Sequence, residues 1–216
     1  IRLCALPQIA FIEPCVRLLY LVTADYFLSE QSEFVSQAHA VALDSERSHG
    51  VEEACGKSSV KVILNDRQPA YLDFLTDSIP MEDLIISERM PAEADILLRD
   101  SDLVFCLDFN AFHRTDRLEK ALTESKADKI LIDHHLDPDR SAFSLVFSET
   151  DISSASELVY QILIETRRIA HDASALPQMS ATALMTGMTT DTNNFANSTY
   201  PSTLLMAAEL IERGVD

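Results

Sequence analysis

The sequence predicts an α/β fold in which a mostly parallel sheet carries helices on both of its faces. In the second half of the chain, short and wholly apolar runs of strand length alternate with helix-like stretches. One strand–helix–strand stretch there takes about 30 residues, which is the length of a βαβ unit. Buried parallel strands read as continuous apolar runs, as these do. With 216 residues, 47% of them hydrophobic, the chain is long enough for one large α/β domain.

The first half gives the weaker pattern. A helix is predicted over residues 8 to 36, because Ile12, Val16, Leu19 and Tyr20 recur with a period near 3.6. The β-branched run SSVKVIL from Ser58 to Leu64 predicts a strand. After these come a loop from Pro69 that leads into a short helix, and a helix from Pro91 to Arg99.

The second half is clearer. The apolar runs Leu103 to Leu107 and Lys129 to Ile132 predict two strands, and Ser144 to Phe147 predicts a third. Helices are predicted from Thr115 to Ser125, from Ser154 to Arg168, from Ser180 to Thr190 and from Ser202 to Arg213. This order favours consecutive βαβ units with helices above and below the sheet.

Composition excludes several classes of function. The net charge of −18 argues against broad electrostatic binding of duplex nucleic acid, which needs Lys and Arg to neutralise phosphates. Only four glycines occur, so no glycine-rich phosphate loop is present. Four cysteines without a C-x-x-C pair indicate reduced thiols. No run reaches the ~18 apolar residues of a membrane span, and no stretch fits a secretory signal. We therefore expect a cytoplasmic protein with no membrane partner.

Potential metal ligands follow two of the predicted strands. Asp108 closes LVFCL, and Asp133, His134 and His135 close KILI. Ligands of open α/β sheets collect outside the carboxyl ends of the strands, where neighbouring side chains can converge. A third acidic group, Asp191, follows a predicted helix. Carboxylates with imidazole and no thiolate suit Mn²⁺, Mg²⁺ or Zn²⁺. Two such ions about 3.5 to 4 Å apart can clamp a phosphoryl group for in-line attack.

Four blocks, in this order along the chain, resemble the DHH phosphoesterase family. They are LVFCLDFNAFHRTDRL, ILIDHHLDPD, ISSASELVYQIL and TGMTTDTNNF, and the resemblance covers residues 92 to 216. It implies a Rossmann-like DHH catalytic domain over residues 1 to 216, with the smaller C-terminal substrate-binding domain of the family absent from this chain. The most similar subgroup is the nanoRNase type, which degrades short oligonucleotides and linear dinucleotides such as pApA, and in some members removes the 3′ phosphate of pAp.

The resemblance also implies roles for individual residues. Asp108, His134 and Asp191 would be metal ligands, and with His135 they would form the catalytic set. Asp133 would orient His134, and His135 would contact the scissile phosphate or assist proton transfer. Substrate contacts are expected from His135, Asn110 and Arg117. The expected cofactor is Mn²⁺, as a pair, with Mg²⁺ or another divalent ion as the alternative, and a metal-activated water would attack phosphorus.

Two blocks depart from the family pattern. The first motif, normally H-x-N-P-D-x-D, has its best match in HAVALDSERSHG, which offers His39, Asp44 and Glu46 as further metal ligands. There the first carboxylate lies one residue too far from the histidine, and Glu replaces the second Asp. The fourth motif normally reads D-T-G, whereas this chain has Asn193 in place of the glycine. Asn tolerates positive φ, so we expect the turn to be kept.

The function predicted from the sequence is metal-dependent hydrolysis of phosphoesters in short single-stranded RNA or DNA oligonucleotides, linear dinucleotides or pAp. Two alternatives stay open. One is a Mn²⁺-dependent inorganic pyrophosphatase. The other is a catalytically impaired DHH module that binds nucleotides, which the divergent first motif would explain. A homodimer is the expected assembly.

Overall fold

A single parallel sheet organises the part of the chain that the structure describes, a computed structural model covering residues 18–22, 60–77, 79–165 and 169–216. Its six strands lie in the order β3-β2-β1-β4-β5-β6 and every neighbouring pair is parallel. The strands are β1 (Leu18–Val22), β2 (Val60–Leu64), β3 (Leu84–Ile86), β4 (Leu103–Leu107), β5 (Asp128–Asp133) and β6 (Leu145–Ser148). The predicted fold class is confirmed.

The helix predicted over residues 8 to 36 is wrong at Leu18–Val22, which form β1. This strand pairs with β2 on one side and with β4 on the other, so it is a central strand. Its sequence, LLYLV, is one continuous apolar run. A short apolar run satisfies the pattern of a buried strand and that of a buried helix equally, and periodicity cannot separate the two.

The other predicted strands are confirmed within two residues. Leu103 to Leu107 is reproduced as β4, and the strands predicted at Ser58, Lys129 and Ser144 appear as β2, β5 and β6. β3 was not predicted. It has only three residues, LII, and so offers too short a pattern to be recognised from the sequence alone.

Within the described residues, six α-helices lie between and after the strands. They are α1 (Asp73–Thr76), α2 (Pro91–Asp100), α3 (Glu119–Glu124), α4 (Ala155–Ile164), α5 (Gln178–Asp191) and α6 (Pro201–Glu212). The helix predicted from Thr115 to Ser125 is divided: Phe112–Leu118 is a 3₁₀ segment, and α3 begins only at Glu119. The division lies at Asp116, whose φ of 48° and ψ of −108° are incompatible with a helix.

Two hydrophobic cores, one on each face of the sheet, hold these layers together. Alternate residues of a strand contribute to opposite cores, as Ile63 and Leu64 of β2 do. The first core receives buried residues from α1, α4, α5 and α6, and the second from α2 and α3. Helices therefore cover both faces, as predicted. None of the helices in the described part has the length and apolar character needed to cross a membrane.

Candidate metal centre

Asp108 is the first residue after β4 and occupies the carboxyl edge of the sheet. Its backbone N–H donates to the carbonyl of Ile132 at 2.9 Å, so the β4–β5 ladder continues up to this residue. Its φ is 62°, a left-handed conformation that Asp adopts more readily than most residues. The side chain is only 2% exposed. Its Oδ1 is buried and accepts no well-aligned hydrogen bond from the described residues.

The two histidines that follow β5 face this carboxylate. Leu107 pairs with Ile132 across β4 and β5, which brings the ends of the two strands together. His134 Nε2 lies 3.3 Å from Asp108 Oδ1, and His135 Nδ1 lies 3.5 Å from the same oxygen. Both imidazoles are partly buried, with 16% and 26% of their side chains exposed. The adjacent histidines therefore converge on one buried oxygen.

Asp191 approaches the same imidazole from another layer of the fold. It is the last residue of α5, and its Oδ2 lies 3.6 Å from His134 Nε2. The neighbouring threonine hydroxyls point back into the helix, because Thr189 and Thr190 donate to carbonyls one turn earlier, at 2.8 Å each. Of the polar groups at this helix end, the Asp191 carboxylate is the one that meets the histidines.

Asp133 has a different partner from the one that the sequence analysis expected. Its carboxylate was expected to orient His134. Instead, His135 Nδ1 donates to Asp133 Oδ1 at 2.7 Å, and the His135 backbone N–H donates to Oδ2 at 3.1 Å. Asp133 is fully buried, so this pairing fixes the ring of His135 firmly. His134 is oriented by Asp108 and Asp191 instead.

Electrostatics favour the protonated form of both imidazoles when no cation is bound. Burial by itself would lower the pKa of His134. The contact with Asp108 and the negative charges of Asp108, Asp191 and Asp133 outweigh burial and raise that pKa to about 9. The pKa of His135 is also raised, since the hydrogen bond to Asp133 and the charge of Asp108 outweigh its burial. Carboxylates thus dominate the field at this edge.

This side-chain set fits a divalent cation. One potential ligand atom each from Asp108, His134 and His135 lies within 4.8 Å of the other two. Asp108 Oδ1 is buried and accepts no well-aligned hydrogen bond, while two imidazole nitrogens lie within 3.5 Å of it, an arrangement that a shared cation would satisfy. Carboxylate and imidazole donors without thiolate suit Mn²⁺, Mg²⁺ or Zn²⁺. The most compact triad includes His135, which the sequence analysis had assigned to the substrate and not to the metal.

Asn110 and Arg117, the two predicted substrate contacts, are engaged with the chain itself. The Asn110 side-chain amide donates to the carbonyl of Leu136 at 2.7 Å and so joins the loops after β4 and β5. Arg117 donates to the Asn65 side-chain oxygen at 3.2 Å and pairs with Asp66 at 3.0 Å, beyond the end of β2. Their binding of substrate stays a prediction.

The ligands predicted from the first motif, His39, Asp44 and Glu46, lie outside the described residues. The turn after Asp191 lies within them. Asn193 has a φ of 49°, so Asn does adopt the left-handed conformation expected at the position of the family's glycine. Thr192 is fully buried and stabilises the turn by accepting from the backbone N–H groups of Phe195 and Asn197, at 3.0 and 2.9 Å.

Sequence reasoning missed one buried acid, Glu157. It is fully buried in the first turn of α4 and accepts hydrogen bonds from the backbone N–H and the hydroxyl of Ser153 and from the Thr203 hydroxyl of α6, the last at 2.7 Å. The N-cap Ser154 accepts from the Glu157 backbone N–H at 3.0 Å. The S-x-x-E spacing of a capping box was the available signal for this position. Glu157 links the helix after β6 to the helix after Asp191.

Comparison with known proteins shows a family and a similar fold. The profile of the DHH family, N-terminal domain, matches residues 23–188. A crystal structure of an exopolyphosphatase-related protein from Bacteroides fragilis is 26% identical, with a TM-score of 0.75, over 98% of this chain and 57% of that chain. The chain thus spans little more than half the length of this relative. A search of curated proteins found no match.

A crystal structure of exonuclease RecJ bound to manganese is more distantly similar, at 16% identity and a TM-score of 0.48, over 92% of this chain and 44% of that one.

The profile match covers most of the chain, including both strand ends that carry Asp108 and the two histidines. The chain therefore belongs to the DHH family.

Proposed function

We propose that the protein is a metal-dependent phosphoesterase that hydrolyses short oligonucleotides, linear dinucleotides such as pApA, or pAp. Asp108, His134 and Asp191 would hold the cation in this proposal. Membership of the DHH family supports a phosphoester substrate, and the resemblance of LDFNAFHRTDRL and ISSASELV to the nanoRNase subgroup supports short oligonucleotides.

One observation carries the proposal. Asp108 offers a buried oxygen without a hydrogen-bond partner, and two imidazoles and the Asp191 carboxylate surround it. Three carboxylates, counting Asp133, would repel a phosphate group in an acidic protein. A bound divalent cation reverses that local charge and makes phosphate binding favourable. The donor chemistry favours Mn²⁺ or Mg²⁺ for a phosphoryl substrate, with Mn²⁺ preferred because imidazole is present.

When bound, such a cation supplies Lewis acidity toward a phosphoryl oxygen and a water that is nucleophilic near neutral pH. The residues of the chain then position the substrate and move protons. Asp133 accepts from His135 Nδ1, which leaves Nε2 as the atom that donates a proton to the leaving oxygen. No covalent enzyme intermediate is required.

The test is hydrolysis of pApA by the full chain with Mn²⁺, followed by removal of the metal with a chelator. We expect turnover that the chelator abolishes and that added Mn²⁺ restores better than Ca²⁺ does. His134→Ala should abolish turnover, whereas His113→Ala, which alters an exposed histidine after β4, should not. Turnover that persists in a folded His134→Ala protein would overturn the assignment.

Hydrolysis of phosphoanhydrides is the second candidate, because the Bacteroides fragilis relative is described as exopolyphosphatase-related. Assaying inorganic pyrophosphate and polyphosphate beside pApA separates the two. A preference for the inorganic substrates would favour a pyrophosphatase-like enzyme. Nucleotide binding without turnover of any substrate would favour the catalytically impaired module.

A second metal ion stays a prediction, since it depends on His39, Asp44 and Glu46. Calorimetric titration with Mn²⁺ measures the stoichiometry. Two equivalents of bound Mn²⁺ that fall to one in a His39→Ala variant would support these ligands, whereas one equivalent in both proteins would remove them from the site.

A further inference from the structure

The loop after α5 has an unusual backbone. Asn193, Asn194 and Phe195 are three consecutive non-glycine residues with positive φ, at 49°, 54° and 64°. Asn tolerates this left-handed region, whereas a bulky residue such as Phe is rarely found there. The loop is nevertheless well bonded: the Asn194 backbone N–H donates to the Thr189 carbonyl at 2.8 Å, and that of Phe195 donates to Thr192 Oγ1 at 3.0 Å. Backbone strain that the surroundings hold in this way clusters at ligand-binding sites.

Phe195 lies at the surface, in the loop that follows Asp191 at the end of α5. It is the fourth residue after Asp191, whose carboxylate contacts His134. Its hydrogen bond to the buried Thr192 fixes it against the last turn of α5. The side chain is 38% exposed, although a phenyl ring usually gains stability by burial.

A second exposed apolar side chain, that of Leu136, follows the two histidines. Leu136 comes directly after His135 and is 71% exposed. Its carbonyl accepts from Asn110, so the backbone there is fixed. An exposed apolar side chain therefore follows each of the two elements, β5 and α5, whose ends bring side chains to His134.

We infer that Phe195 is a specificity-determining residue that stacks against the nucleobase next to the scissile phosphate, with Leu136 as a further apolar contact. The inference rests on the proposed function and deepens it. Because the chain is acidic, charge attraction away from the cation site contributes little to the binding of a polyanionic substrate. Stacking on an aromatic ring recognises any base, needs no charge and is tolerant of sequence. Inorganic pyrophosphate has no such surface, so Phe195 favours nucleotides over inorganic phosphates.

A binding measurement tests this without depending on turnover. The Mn²⁺-loaded protein is titrated calorimetrically with AMP and with ribose 5-phosphate, which differ by the base. We expect AMP to bind about tenfold more tightly, the size of one stacking contact. Phe195→Leu keeps apolar bulk but removes the aromatic face, and should bring the two affinities together. Leu205→Ala, at an exposed leucine of α6, is the matched control and should keep the difference.

The Phe195→Gly variant controls for a folding defect. Glycine adopts positive φ without strain, so this variant should fold at least as readily while it lacks the ring. Equal affinities of the wild-type protein for AMP and ribose 5-phosphate, or no measurable binding of AMP, would overturn the inference. So would a Phe195→Gly protein that still prefers AMP.

Turnover gives the second readout and keeps the two proposals distinguishable. With pApA, Phe195→Gly should raise KM about tenfold and change kcat little, while pyrophosphate hydrolysis, if present, should not change. A total lack of Mn²⁺-dependent hydrolysis would contradict the proposed function alone, because the AMP titration still decides the role of Phe195. A Phe195→Gly protein that loses activity on pApA and pyrophosphate equally would contradict base stacking.

Discussion

Binding of Mn²⁺ to the cluster should become tighter as pH rises, because an imidazole ligand has to be neutral to coordinate a metal. In the metal-free protein the pKa of His134 is raised from 6.5 to about 9, so this ring is protonated at neutral pH. The cation has to displace that proton. Each pH unit below about 9 then weakens the apparent affinity about tenfold, or by about 1.4 kcal/mol, which amounts to about 2.7 kcal/mol at pH 7.

Isothermal titration calorimetry of Mn²⁺ binding measures this directly. Titrations between about pH 6.5 and 8.5, in buffers of different ionisation enthalpy, give both the dissociation constant and the number of protons released. The His134→Gln variant isolates the contribution of His134, because it should bind Mn²⁺ more weakly and release about one proton fewer. His113→Gln, at an exposed histidine, should behave as the wild-type protein does.

A dissociation constant that does not change over this pH range would refute the reasoning. It would mean that the proton on His134 is not displaced, and hence that this ring is not a ligand. Proton release that is the same in the wild-type protein and in His134→Gln would lead to the same conclusion.

Three further predictions concern activity and stability. Asp108→Asn should keep the fold, as judged by circular dichroism, but lower kcat/KM for pApA at least about 10³-fold, because the buried anionic oxygen is lost. In the metal-free protein, the raised pKa of His134 stabilises the fold, and this stabilisation is complete below about pH 6.5. The free energy of unfolding, measured by urea denaturation, should therefore fall by about 3 kcal/mol as pH rises through about 9. A free energy of unfolding that does not change with pH would contradict this. Glu157→Ala should lower the same free energy by about 3 kcal/mol, and Glu157→Gln by less, because the alanine leaves the Ser153 and Thr203 donors unpaired in the core.

The sequence predicted the sheet edge well because its apolar runs are separated by a helix-like stretch over the length of a βαβ unit. That context identified LVFCL as a strand, and β4 has the predicted bounds. The polar residues that directly follow LVFCL and KILI lie at the same edge of the sheet because the two strands are parallel neighbours. The convergence of Asp108 and His134 therefore followed from strand ends and parallel pairing alone.

Other features depend on contacts that no local pattern carries. LLYLV suits a helix and a strand equally, and only its pairing with β2 and β4 decides between them. The pairing of Asp133 with His135 and not with His134 depends on which direction each ring takes after the strand ends. Phe195 has a left-handed backbone, which a Phe residue does not predict. Each of these is decided by tertiary packing that overrides local preference.

Asp108, His134 and Asp191 are proposed to hold a divalent cation together. Crystals of the Mn²⁺-loaded protein, measured at a wavelength where manganese scatters anomalously, would reveal that cation. We expect an anomalous peak within coordination distance of Asp108 Oδ1, His134 Nε2 and the Asp191 carboxylate. A fully loaded crystal with no peak between these three side chains would contradict it.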